Sequence, residues 1–246
     1  MKTLHGQRLK RFYTAVSVEP AEGGFGVRLD ARAVRTPAGR ALHLPTDALA
    51  RAVAAEWDAQ GEHIDPRAMP LTRLANTALD RVAPDPAPVL DALMGYGASD
   101  LLCYRADAPE GLVRAQGALW QPVLDWLAEA YGARLRVGIG ITPVAQPEAE
   151  LIRLRTAFER RPPFALAALQ EIAGCLGSAV LALALADGRL DAEGAWAAAR
   201  VDEDWQIAQW GEDAEEAARV ALVREAHDAA ARFLALGGPA TGSALS

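Results

Sequence analysis

Phe25-Gly26-Val27-Arg28-Leu29-Asp30 alternates apolar side chains with small or charged ones. A strand presents its side chains to opposite faces in turn, so this pattern describes one buried face and one wet face. Upstream, Phe12-Tyr13-Thr14-Ala15-Val16-Ser17-Val18 is rich in β-branched and aromatic residues, and Glu22-Gly23-Gly24 turns the chain between the two runs. Downstream, Val34–Thr36, a Pro37-Ala38-Gly39 turn and Ala41–Leu44 continue the theme. Strands joined by short turns of this composition predict an antiparallel meander over 12–44.

Pro45 marks a change of regime. Thr46 is a helix cap ahead of Ala48–Gln60, with Asp47 in the first turn, Gly61 past the end, and Leu49, Val53 and Trp57 on one stripe. Helices are predicted at Leu71–Val82, Pro86–Gly95 and Pro109–Tyr131, the last kinked at Pro122. From Glu148 the pattern is helical throughout: Glu148–Arg160, Phe164–Ala186, Asp191–Trp210 and Ala214–Leu236. Strands first and helices afterwards predict an α+β fold. The expected organisation is a small N-terminal antiparallel β domain (1–45), a larger all-helical domain (46–236) and a tail (237–246). Two short β-like pieces, Leu101–Arg105 and Leu135–Ile141, extend the first domain if they pair with it.

The 246-residue chain is 51% hydrophobic and 23% charged, the mix of a globular protein. Two cysteines are too few for a disulfide scaffold and suit a reducing compartment. No apolar core of a signal peptide stands in Met1–Leu9, and the most apolar run, Ile172–Ala186, falls short of the roughly 20 residues a spanning helix needs. The expected location is the cytoplasm, with no membrane insertion. Residues 1–40 carry a net +5 and the rest −12; the basic charges are scattered singly and no nucleic-acid-binding motif accompanies them, so no nucleic-acid partner is expected.

Signs of catalysis are sparse. There is no phosphate-cradling Gly-Lys-Ser/Thr, and Gly138-Ile139-Gly140 lacks the third glycine and following helix of a dinucleotide loop. The histidines His5, His43, His63 and His227 stand singly, without metal-ligand spacing, so no metal site is expected. A thiol-dependent hydrolase using Cys103 or Cys175 with His43 or His63 remains an alternative. A small-ligand module lined by tryptophan is another.

One predicted helix resists a pure core reading. On a wheel of 100° per residue, Trp196, Arg200, Glu203, Ile207 and Trp210 fall on one stripe, and Val201, Trp205 and Ala208 nearly opposite. Either the helix is sandwiched inside the domain with Arg200 and Glu203 neutralising each other, or one face is an open aromatic patch around a carboxylate. Asp202, Asp204, Glu212, Asp213, Glu215 and Glu216 would rim such a patch with negative charge, suiting a partner that bears arginines. Trp57, Trp120 and Trp126 read as core.

Four stretches carry a resemblance: Ala54-Ala55-Glu56-Trp57-Asp58-Ala59-Gln60; Met69-Pro70-Leu71-Thr72 with Asn76-Thr77-Ala78-Leu79-Asp80; Asp100-Leu101-Leu102-Cys103-Tyr104-Arg105; and Asp202-Glu203-Asp204-Trp205-Gln206-Ile207-Ala208-Gln209-Trp210-Gly211. In these, and in their order, the chain resembles the assembly chaperones that bind the α subunit of the ATP synthase catalytic head in mitochondria and α-proteobacteria. The resemblance implies a small β domain followed by a helical one, no catalysis and no cofactor. It also implies a holder of the unassembled α subunit that the β subunit replaces. An acidic residue of the C-terminal helical region matters in that family, and Glu203 takes its place here. The expected partner-binding set is Glu203, Trp196, Arg200, Gln206, Ile207, Trp210 and Glu212, on a monomer. Glu212 enters through its charge, since Glu212–Glu216 departs from the eukaryotic pattern.

Overall fold

The computed structural model describes residues 9–140 and 142–238, and in it the alternating stretch is strand β2 (Gly24–Leu29). Val27 and Leu29 are buried, while Arg28 reaches over the other face to Glu19 at 2.8 Å. Strand β1 (Val16–Ala21) pairs antiparallel along the whole of β2, from Val16 opposite Leu29 to Ala21 opposite Gly24. The other edge of β2 is divided: β3 (Arg32–Ala33) takes its Arg28–Leu29 end and β4 (His43–Leu44) its Phe25–Gly26 end. The meander is thus a four-stranded sheet whose apolar face packs on α1 (Asp47–Asp58). The Thr46 hydroxyl accepts from the Leu49 N–H at 3.1 Å and starts that helix where the cap was predicted.

Helix α2 (Pro70–Thr77) runs into a π-helical turn, Ala78–Val82, then α3 (Ala87–Ala98) follows. Strand β5 (Tyr104–Arg105) and, after α4 (Glu110–Tyr131), strand β6 (Gly138–Ile139) account for the two short β-like pieces. They pair with each other, in parallel, and form a second sheet instead of enlarging the first. Pro122 lies inside α4 without ending it. Ile141 and most of the predicted tail fall outside the described residues.

The later helices are α5 (Glu148–Glu159), α6 (Pro163–Leu176), α7 (Ala179–Ala186), α8 (Ala192–Ala199), α9 (Val201–Trp210) and α10 (Ala214–Leu236). Two predicted helices are therefore each divided. Between α6 and α7, Gly177 takes a left-handed conformation (φ 64°), and the Ser178 hydroxyl accepts from the Leu181 N–H at 2.9 Å, so one helix is stopped and the next capped. Between α8 and α9, Arg200 leaves the helical region at φ −104°, ψ 7°. Helix α6 lies central, with α2, α3, α7 and α10 against it; Leu169, Ile172 and Ala173 are wholly buried there.

Three carboxylates, Asp100 fully buried and Glu56 and Asp80 half-buried, join separate elements. Glu56 on α1 accepts from the Leu71 and Thr72 N–H groups and the Thr72 hydroxyl at 2.7–2.8 Å, closing the N-terminus of α2. Asp80 on the π turn accepts from the Thr36 hydroxyl at 2.6 Å and the Ala38 N–H at 2.9 Å, holding the turn before β4. Asp100 is completely buried and accepts from the Leu102 N–H, the Ser178 hydroxyl and the Val180 N–H at 2.7–3.1 Å. Its desolvation outweighs these bonds and pushes its pKa up to about 6. Each occupies a stretch on which the family resemblance rests.

Candidate functional site

Helix α9 belongs to the fourth of those stretches, and its carboxylates behave differently. Asp202 and Trp205 turn inward. Asp202 Oδ1 accepts from Gln116 Nε2 at 2.6 Å, and Gln116 is itself buried, its amide oxygen accepting from the Ala106 N–H at 2.8 Å. The Trp205 ring lies over Gly111, in the first turn of α4, where a Cβ would collide with it. Just ahead of α9, the indole of the wholly buried Trp120 donates to the Ala198 carbonyl at 2.7 Å. The N-terminal half of α4 is thus a platform on which the α8–α9 junction rests.

With Asp202 and Trp205 inward, helical geometry turns the next residues out. Glu203, Gln206 and Trp210 are exposed, Trp210 to 79%, and Ile207 is half-buried. Among the described residues Glu203 has no hydrogen bond or ion pair. Residues 201–216 hold seven acidic side chains and no Lys or Arg. Glu212 is exposed in the short link to α10, where the Asp213 carboxylate caps by accepting from the Glu215 and Glu216 N–H groups.

Trp196 and Arg200 are placed otherwise than a single continuous helix predicts. The division at Arg200 takes Trp196 out of the α9 stripe and sets it in a wall against α10, between the guanidinium of Arg224 at 5.1 Å, that of Arg200 at 5.8 Å, and the buried His227 ring at 5.4 Å. Arg200 pairs with Asp204 at 3.6 Å, not with Glu203. Arg219 of α10 is engaged by both carboxylate oxygens of Glu216, at 2.9 and 2.6 Å, and Glu203 adds only a small further rise to its pKa. Trp196, Arg200 and Glu203 nonetheless meet: with Arg219, Val220 and Val223 of α10 and the α6–α7 break they line a crevice of about 210 Å³.

Neither cysteine is an activated nucleophile. Cys103 is buried, and desolvation pushes its thiol up to about 12; Cys175 is half-buried and held at about 11 for the same reason. Among the described residues no group of three His, Cys, Asp or Glu could hold a metal ion, and no helix is long and apolar enough to cross a membrane. Gln116 and Gly111 were not among the sequence candidates. A glutamine and a helical glycine some 90 residues from α9 carry no local signal of the role they play there.

The sequence model of a family described as ATP12 chaperone protein matches residues 10–128. The crystal structure of Atp12 from Paracoccus denitrificans superposes with a TM-score of 0.87 at 46% identity, covering 93% of this chain and 98% of that one. A structure from Agrobacterium tumefaciens gives 0.86 at 44% identity over 92% of this chain and 85% of that one. The mitochondrial protein atp12 of Schizosaccharomyces pombe is 25% identical over 221 residues, 84% of this chain and 76% of the relative. The α+β order of an N-terminal sheet followed by helices is shared with the solved structures. This chain belongs to the ATP12 chaperone family.

Proposed function

We propose that this protein holds the unassembled α subunit of the ATP synthase catalytic head, keeps it from aggregating, and gives it up to the β subunit. The outer face of α9 is the contact. The observation that carries this reading is the contrast within one helix: Asp202 and Trp205 are fastened to α4, while Glu203 makes no hydrogen bond or ion pair among the described residues and shares the outer face with an open Trp210 two turns on. An exposed aromatic sharing a helix face with an unpaired carboxylate is the composition of a binding hot spot. The surrounding acidic residues favour a partner surface bearing arginines and speed its approach.

The physics of ring assembly supports such a role. A subunit made for a permanent ring exposes apolar interfaces while alone, and these aggregate. A holder without ATP needs only a lower affinity than that of the proper neighbour to be displaced. The chain acts as a monomer in this scheme, without cofactor, in the bacterial cytoplasm or the mitochondrial matrix. The test is co-purification with α subunit from the same organism. Selective capture of α, lost on addition of β, is the expected result. Equal capture of α and β, or none at low salt, overturns it.

A further inference from the structure

The crevice behind α9 is walled by three other parts of the helical array. Leu176 and Gly177 come from the α6–α7 break, Trp196 and Ala199 from α8, Val220 and Val223 from α10. Its volume of about 210 Å³ exceeds the engineered apolar cavity of about 150 Å³ that binds benzene, so one aromatic or branched aliphatic side chain can enter. Three charged groups stand at it, and two are already neutralised: Arg200 by Asp204, and Arg219 by Glu216. Glu203 makes no hydrogen bond or ion pair among the described residues, and only the already paired Arg219 adds a Coulombic attraction. The crevice therefore sets apolar side chains of α6, α8 and α10 beside one carboxylate that no guanidinium engages directly.

We propose that this crevice receives a single apolar side chain of the α subunit, presented next to an arginine or lysine that pairs with Glu203. The proposal rests on the α-subunit reading above and specifies its chemistry. A buried anchor and an adjacent charge pair together fix register, which a flat acidic face alone does not. They also explain release: the anchor is one side chain, so a competing subunit has little surface to displace.

Cys175 lines the crevice and serves as its reporter, since Cys103 is buried elsewhere in the core. Alkylation of wild-type protein with iodoacetamide at mildly alkaline pH, followed peptide by peptide in a mass spectrometer, should slow about tenfold at Cys175 once α is bound. In parallel, Val220→Trp fills the crevice from the half-buried side of α10. Capture of α by that variant should fall about tenfold while its thermal midpoint stays that of wild type. If wild-type protein captures α yet Cys175 reacts at its free rate, the crevice is not the anchor site, and the α-subunit reading survives. Undiminished capture by a folded Val220→Trp excludes the crevice in the same way. Failure of wild-type capture removes both readings. Protection of Cys175 that grows with the chaperone's own concentration, without α, places a second copy in the crevice and overturns the proposal.

Discussion

Asp100 and Glu203 are both carboxylates in stretches that mark the family, and they are opposites in every physical respect. Asp100 has no exposed surface and three hydrogen-bond donors converging on it from two separate segments. Glu203 is exposed and makes no hydrogen bond or ion pair among the described residues. Glu56 and Asp80 side with Asp100, each stitching the N-terminal elements to the helices that follow. A motif residue whose bonding capacity is spent inside the fold holds the fold; one whose capacity is unspent is available to something else. Identity of residue type distinguishes neither.

That contrast can be broken by substitution, and the largest effect belongs to the interior. Asp100→Ala strands two N–H groups and a hydroxyl in the core and should destabilise by about 3–5 kcal/mol, read by denaturant unfolding. A loss under about 1 kcal/mol would mean that Asp100 is not the clasp described. A pH series sharpens the same point. The folded pKa of about 6 stands above the ordinary aspartate value of 3.8, so the protonated form contributes stability that is complete below about pH 4 and lost as pH rises through 6. Relative to Asp100→Asn, wild type should therefore weaken by on the order of 3 kcal/mol between about pH 4 and 7. A flat difference would show that the hydrogen bonds hold the carboxylate ionised throughout.

Between the two extremes lies the α4 platform. Gly111→Val drives a branched side chain into the Trp205 ring, at a cost of about 1–3 kcal/mol. It should also weaken capture of α, although residue 111 lies beneath α9 and off its outer face. Normal capture with a shifted unfolding midpoint would limit Gly111 to packing. The smallest change in stability is expected at Glu203→Lys, within about 0.5 kcal/mol. Its capture of α should nevertheless drop by about tenfold. Were it to bind as wild type does, the outer face of α9 would lose its claim to the contact.

The N-terminal half of the fold was readable because its signals are local. The alternation in 25–30 and the cap at Thr46 each lie within a few residues of the element they specify. The division of the long apolar run at Gly177-Ser178 was also present in the residues themselves, a left-handed glycine followed by a capping serine, but uninterrupted hydrophobicity masked it. No comparable signal marks Arg200, where the chain reads as ordinary helix and tertiary packing of Trp196 against α10 prevails. At the candidate site the residue types were legible, and so was the two-faced character of Val201–Trp210. Pairings were not: Arg200 meets Asp204 one turn on, and Gln116 reaches Asp202 across 86 positions of sequence. Long-range partners leave no periodic trace.

The interruption at Arg200 has a consequence over evolutionary time. Because α9 touches the body chiefly through the buried Val201 together with Asp202 and Trp205, inheritance can act on its two sides separately. Substitutions at 202 and 205 should drift in step with 116 and 111, inside one gene. Those at 203, 206 and 210 should drift in step with whatever surface they meet, in another. A lineage that altered its partner could follow by rewriting one exposed face of a ten-residue helix, leaving the rest of the chaperone untouched.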